Sequence, residues 1–224
     1  MDSLRSDASF WKRTAVSVCG TGIVLGARVV TAVRGIFAGM APTEQRRIYF
    51  ANHASHGDFV LLWTVLPPNL RARTRPVAAA EYWMASSLRR FIGRDVFNAV
   101  LIERDAARDA RKAINMMARA LDEGDSLIIF PEGTRNTTEE RLLPFKGGLY
   151  HLARAQPDVD MTPVWIENLN RVMPKGHFLP IPLICSVTFG APLRLEAGES
   201  KPAFLTRARN ALLDLAPHKD EGKQ

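Results

Sequence analysis

Residues 107–130 read ARDARKAINMMARALDEGDSLIIF, and the change of rhythm inside this stretch decides the fold. Ala110, Ala113, Ile114, Met117, Ala118 and Leu121 recur at helical spacing on one face, while Arg108, Asp109, Arg111, Lys112 and Arg119 lie mostly elsewhere. Glu123-Gly124-Asp125 closes that helix, Gly124 being suited to a C-terminal cap. Ser126-Leu127-Ile128-Ile129-Phe130 follows at once as a short apolar strand, the kind covered on both faces. A helix handed directly to a doubly buried strand is the repeating unit of a layered α/β protein.

The alternation continues in both directions. Upstream, Arg47–Ala51, Arg75–Ala79 and Val96–Ile102 read as strands, separated by a helix begun at Asp58 and by a helical stretch from Glu81 to Ile92. Pro67-Pro68 stops the Asp58 helix. Downstream, Met161–Ile166 and Ile184–Phe189 are strand candidates, and Lys201–Leu215 closes the chain as an amphipathic helix. The predicted fold class is α/β: a mostly parallel central sheet flanked by helices, with an N-terminal apolar helical arm that associates with a membrane. The expected division is an arm at 1–44, an α/β domain at 45–216 and a polar tail at 217–224.

Composition narrows the function. With 46% hydrophobic and 24% charged residues, the 224-residue chain is neither disordered nor fibrous. Cys19 and Cys185 stand far apart without a second pair, which argues against a disulfide framework or a thiolate zinc site. A net charge of +7 favours an anionic partner: a nucleic acid, an anionic bilayer or a phosphorylated substrate. No run of five basic residues and no nucleic-acid-binding signature occurs, so nucleic acid is not an expected partner.

The stretch Thr14–Ala27 carries no charge, and Arg5, Lys12, Arg13, Arg28 and Arg34 flank it with Phe10 and Trp11 at its edge. Aromatic and basic residues at the ends of an apolar segment suit the headgroup layer. Fourteen residues before the first arginine fall short of the roughly 20 that a spanning helix needs. The expectation is a helix or helical pair lying in the interface of an anionic membrane, on the cytoplasmic face of the inner membrane.

Four short stretches carry chemistry. In Asn52-His53-Ala54-Ser55-His56-Gly57-Asp58, a strand end meets a helix start. Across that turn Asp58 can reach back to His53, fix its tautomer and leave the other ring nitrogen as a general base. The same residues could simply brace a turn, and His53, His56 and Asp58 are also possible metal ligands for a hydrolase. Phe130-Pro131-Glu132-Gly133-Thr134-Arg135 lies beyond the apolar strand, where ligands of open α/β sheets bind. Gly133 permits close approach and Arg135 offers a planar fork for phosphate, although the composition also fits an ordinary turn. Val100–Arg104 is a strand ending in arginine, and Lys146-Gly147-Gly148 puts a cation before a helix start.

Taken in order, these blocks resemble the glycerolipid acyltransferase family, over roughly residues 45–190. The correspondence rests on His53 through Asp58, Leu101–Arg104, Phe130–Arg135 and Thr162-Pro163-Val164. The resemblance implies transfer of an acyl group from an acyl carrier protein or coenzyme A thioester to the free hydroxyl of lysophosphatidic acid, giving phosphatidic acid. Lyso-ornithine lipid and glycerol-3-phosphate are the alternative acceptors. It implies His53 as base and Asp58 as its orienting carboxylate. Arg104 and Arg135 would hold the phosphate, Glu132 and Gly133 would shape the acceptor site, and Thr134 and Lys146 would complete it. No metal or other cofactor is implied. Oxyanion donors are expected among the backbone N–H groups near the first motif. Two departures stand out: Val77-Ala78 is not followed by the family's usual lysine, and Leu101 takes the place of a common aromatic.

Overall fold

The structure is a computed structural model and describes residues 2–103, 106–167 and 185–217. Seven strands form one sheet in the order β1-β7-β6-β2-β5-β3-β4. They are β1 (Arg34–Phe37), β2 (Arg47–Ala51), β3 (Thr74–Ala79), β4 (Val100–Ile102), β5 (Ser126–Ile129), β6 (Asp160–Glu167) and β7 (Ser186–Phe189). Strands β6, β2, β5, β3 and β4 are mutually parallel. Strand β7 runs antiparallel to β6, and β1 follows β7 in parallel. The sheet is thus mostly parallel, as expected. Strand β1 lies inside the stretch assigned to the arm, where Gly35 and Ile36 pair with Val187 and Thr188.

Side-chain alternation along β2 and β5 divides the core into two layers. Ile48, Phe50, Leu127 and Ile129 face one layer, closed by α6 (Ala106–Asp122), α7 (Gly148–Ala155) and α8 (Lys201–Leu213). Tyr49, Ala51 and Ile128 face the other, closed by α1 (Asp2–Thr31) and α2 (Asp58–Val65). Burial on both sides explains why Leu127-Ile128-Ile129 carries no polar alternation. Each such fully buried aliphatic side chain contributes about 1.5–3 kcal/mol. The predicted helix stripe also holds: Met117 and Leu121 are buried, while Arg111, Lys112 and Arg119 are exposed. Gly124 caps the helix in the left-handed region (φ +89°), and its N–H donates to the Leu121 carbonyl.

Two predicted elements differ. The helix expected over Glu81–Ile92 is broken into α4 (Ala80–Trp83), α5 (Ser87–Arg90) and a π-helical turn at Phe91–Val96. Ser86 is extended there and its Oγ accepts the Arg89 N–H, so a serine that would weaken a helix interior starts a new one instead. The strand expected from Val96 begins only at Val100, because Asn98 adopts a left-handed conformation (φ +48°). Between α2 and β3, Pro68 opens the short α3 (Pro68–Ala72).

The N-terminal segment is one continuous helix rather than a helical pair. Val24 packs against the domain, and Gly20 lies close to Trp63 and Val96. Phe10, Trp11, Val18, Leu25 and Val29 remain exposed on it. Phe10–Thr31 is long and apolar enough to cross a membrane by length and composition, with only 11% of its apolar window buried.

Candidate active site

The parallel neighbours β2 and β5 bring their carboxyl ends side by side, in register from Ile48↔Leu127 to Phe50↔Ile129. The segments that leave them, Asn52–Asp58 and Phe130–Arg135, therefore meet at the carboxyl end of the sheet. Asn52 anchors the first segment. Its buried amide donates to the Ile166 carbonyl at 2.9 Å and accepts the Ile166 N–H at 2.7 Å, so the loop is tied to β6 just where it leaves β2.

Asp58 occupies the first turn of α2 and is 2% exposed. Its Oδ2 lies 2.9 Å from His53 Nδ1 and accepts the Ala54 and Ser55 N–H groups at 2.7 and 2.8 Å. An ionised carboxylate only accepts, so a neutral imidazole held in this way donates from Nδ1 and leaves the lone pair on Nε2. The imidazole stacks on Phe130, with ring centroids 4.2 Å apart and planes 20° from parallel. Phe130 thus reaches across from β5 to set the ring plane. The imidazole is thereby oriented on two sides and partly exposed.

The backbone of His53 is held from β5 as well. Its N–H donates to Glu132 Oε1 at 2.7 Å, and its carbonyl accepts the Asn136 N–H at 2.6 Å. Glu132 Oε2 accepts the Leu143 N–H at 2.9 Å. Burial pushes the Glu132 carboxyl above its ordinary value, against the pull of those two amide hydrogen bonds. Glu132 was expected to shape the acceptor site. It is 1% exposed, with both oxygens engaged by main-chain N–H groups, and so braces the loops from within.

Gly133 takes a left-handed conformation (φ +71°), and a Cβ placed on it would stand 3.1 Å from Lys146 Cγ. The stem of Lys146 thus lies across Gly133, held there by a hydrogen bond from its own N–H to the Pro131 carbonyl. Thr134, Arg135 and Lys146 are all exposed. The Arg135 guanidinium stands near enough to His56 to help depress its pKa, after the larger effect of desolvation. Among the predicted site residues His53, Asp58, Glu132, Gly133, Thr134, Arg135 and Lys146 gather at this end of the sheet, while Arg104 lies outside the described residues.

Most of the N–H groups of the first motif, expected as oxyanion donors, are taken up, that of His56 not being among them. Within 53–58, the N–H groups of His53, Ala54, Ser55, Gly57 and Asp58 are all engaged inside the protein. A tight turn needs those amides for itself. The His56 ring stacks on Tyr82 at 5.6 Å, over which Arg89 lies at 4.5 Å. His56 and Asp58 are therefore engaged separately, and among the described residues no three His, Cys, Asp or Glu side chains group as a metal site.

The acyltransferase family model matches residues 36–167, more than half of the chain. The chain belongs to the acyltransferase family. Among the relatives of this acyltransferase chain is a protein named 1-acyl-sn-glycerol-3-phosphate acyltransferase from Limnanthes douglasii. It is 30% identical over 165 residues, covering 70% of this chain and 54% of that protein. The human 1-acyl-sn-glycerol-3-phosphate acyltransferase alpha is 29% identical over 175 residues, covering 77% and 59%. The chain spans about half the length of the curated relatives it matches. The crystal structure of the 1-acyl-sn-glycerophosphate acyltransferase PlsC from Thermotoga maritima shares the fold. Its TM-score is 0.66 at 22% identity, over 92% of this chain and 84% of that one.

Sequence reading missed Phe130 and Asn136 as partners of His53. Phe130 was legible as the end of an apolar strand and the start of the Phe130–Arg135 stretch, not as a contact of the His53 ring. Asn136 reads as a glycosylation sequon by letter, yet its Oδ1 accepts from both the N–H and Oγ1 of Thr138 in a local turn.

Proposed function

We propose that this acyltransferase moves a fatty acyl group from an acyl carrier protein or coenzyme A thioester to the free hydroxyl of lysophosphatidic acid, forming phosphatidic acid. The observation that carries the reading is the His53–Asp58 pair at 2.9 Å beside a loop that presents Arg135 and Lys146 to solvent. The relatives named as 1-acyl-sn-glycerol-3-phosphate acyltransferases support the choice of acceptor.

In this reading His53 Nε2 takes the proton of the acceptor hydroxyl as its oxygen attacks the thioester carbon. Asp58 stabilises the imidazolium that forms. Collapse of the tetrahedral intermediate breaks the C–S bond, and His53 returns the proton to the departing thiolate. A thioester is already activated, so no covalent serine is needed; Ser55 Oγ instead accepts the Gly57 N–H. General-base assistance of this kind is worth roughly 10²–10⁴-fold. Arg135 and Lys146 hold the acceptor phosphate, joined by Arg104, while Gly133 and Thr134 shape the backbone they stand on.

The same reading seats the exposed face of α1 on an anionic bilayer at the cytoplasmic face of the inner membrane, where Phe10 and Trp11 meet the headgroups. The test is an assay of purified protein with lysophosphatidic acid, glycerol-3-phosphate and lyso-ornithine lipid against both thioester classes. Turnover fastest with lysophosphatidic acid supports the proposal. Preference for another acceptor reassigns the substrate, and no transfer from either thioester overturns it.

A further inference from the structure

Three residues following one strand hold a histidine that follows another. Phe130 fixes the plane of the His53 ring, Glu132 accepts its N–H, and Asn136 donates to its carbonyl. The Glu132 carboxylate also reaches further along its own connection, to the Leu143 N–H. Leu142, next to that amide, is fully buried in the α6–α8 layer, so the far end of the brace is fixed to the core. One carboxylate therefore spans the backbone of the base and a point anchored in the core.

We propose that Glu132 is a positioning residue for His53, acting through the main chain and touching neither acceptor nor thioester. The inference rests on the reading of His53 as the base. A carboxylate suits this post because both oxygens accept, matching two N–H groups that each only donate. Glutamine cannot match them, since its NH₂ would confront one amide with a second donor. Aspartate, a methylene shorter, cannot span both amides at 2.7 and 2.9 Å. Releasing the His53 amide lets the ring drift from Asp58, and a misplacement near 1 Å costs about 10²-fold in rate.

The test is Glu132→Gln in the full chain, with Glu132→Asp as the variant to use if glutamine prevents folding. Two readouts are taken from each variant. Steady-state kinetics should show kcat reduced about 10²-fold with the acceptor KM within about twofold. Nitrogen-15 NMR of histidine-labelled protein should show the His53 ring moving from the Nδ1–H tautomer of the wild type toward a mixture of tautomers. An acceptor KM that rises while kcat is retained overturns the inference, because it makes Glu132 a ligand of the acceptor. So does a fall in kcat with the His53 signature unchanged. If the wild type shows no transfer, the proposed reaction fails, and the NMR readout still decides whether Glu132 holds the ring.

Discussion

His53 and Asp58 meet at 2.9 Å across a loop whose own amides complete the contact: Asp58 Oδ2 also accepts the Ala54 and Ser55 N–H groups. One buried oxygen thus shapes the turn and orients the ring. Asp58→Asn replaces an acceptor by a group that can donate, which favours the wrong tautomer of His53. The expected outcome is a kcat lower by about 10²–10⁴-fold. Stability should fall by about 1–3 kcal/mol from the amides left unsatisfied. Activity assays and denaturant melts measure both, and wild-type turnover would show that the carboxylate does not orient the base.

Arg135 stands exposed at the mouth of the site, close enough to His56 to influence its titration. Arg135→Ala should raise the KM for lysophosphatidic acid by about tenfold or more, as expected for a lost charge-assisted hydrogen bond. The thioester KM should stay within about twofold. Equal changes in both constants would count against a phosphate contact.

Gly133 combines a left-handed backbone with the Lys146 stem 3.1 Å from where a Cβ would sit. Gly133→Ala should cost about 1–2 kcal/mol from the backbone alone and displace Lys146 as well. A lower Tm together with a higher acceptor KM is the expected pair of results. An unchanged Tm would mean that the loop is not held in this conformation.

The His56 imidazole is held below its ordinary value of 6.5 by desolvation, then by the charge of Arg135. Above 6.5 the ring is neutral in the folded and unfolded chains alike, and its contribution to stability is complete. As pH falls through 6.5 the unfolded chain takes up a proton that the folded chain still refuses, so stability drops until the lowered folded value is passed. The ring is exposed, which keeps the effect small. Between about pH 8 and pH 5, the wild type should lose more Tm than His56→Gln; parallel losses would contradict the shift.

The fold was legible wherever one physical signal dominated. Leu127-Ile128-Ile129 and the stripe from Ile114 to Leu121 fixed a buried strand and its covering helix because burial and periodicity agree there. The stretch from Glu81 to Val100 was misread because composition favours a helix while Ser86 caps a new one and Asn98 turns left-handed. Of the site, the residue types of His53, Asp58 and Arg135 were legible, since an imidazole with a nearby carboxylate and an arginine beyond a buried strand suit a base and a phosphate fork. Directions were not. Nothing in the letters of Phe130–Arg135 says that Glu132 points inward to two amides while Arg135 points outward. The oxyanion donors met the same limit, because sequence does not reveal which N–H groups a turn consumes.

The central claim is that His53 takes the acceptor's proton. The measurement that tests it most directly is single-turnover formation of phosphatidic acid, with lysophosphatidic acid and thioester both saturating, by wild type and His53→Ala. The account predicts product from the wild type and a rate lower by about 10²–10⁴-fold in the variant, with acceptor binding intact. A His53→Ala enzyme that forms phosphatidic acid at the wild-type rate would contradict it.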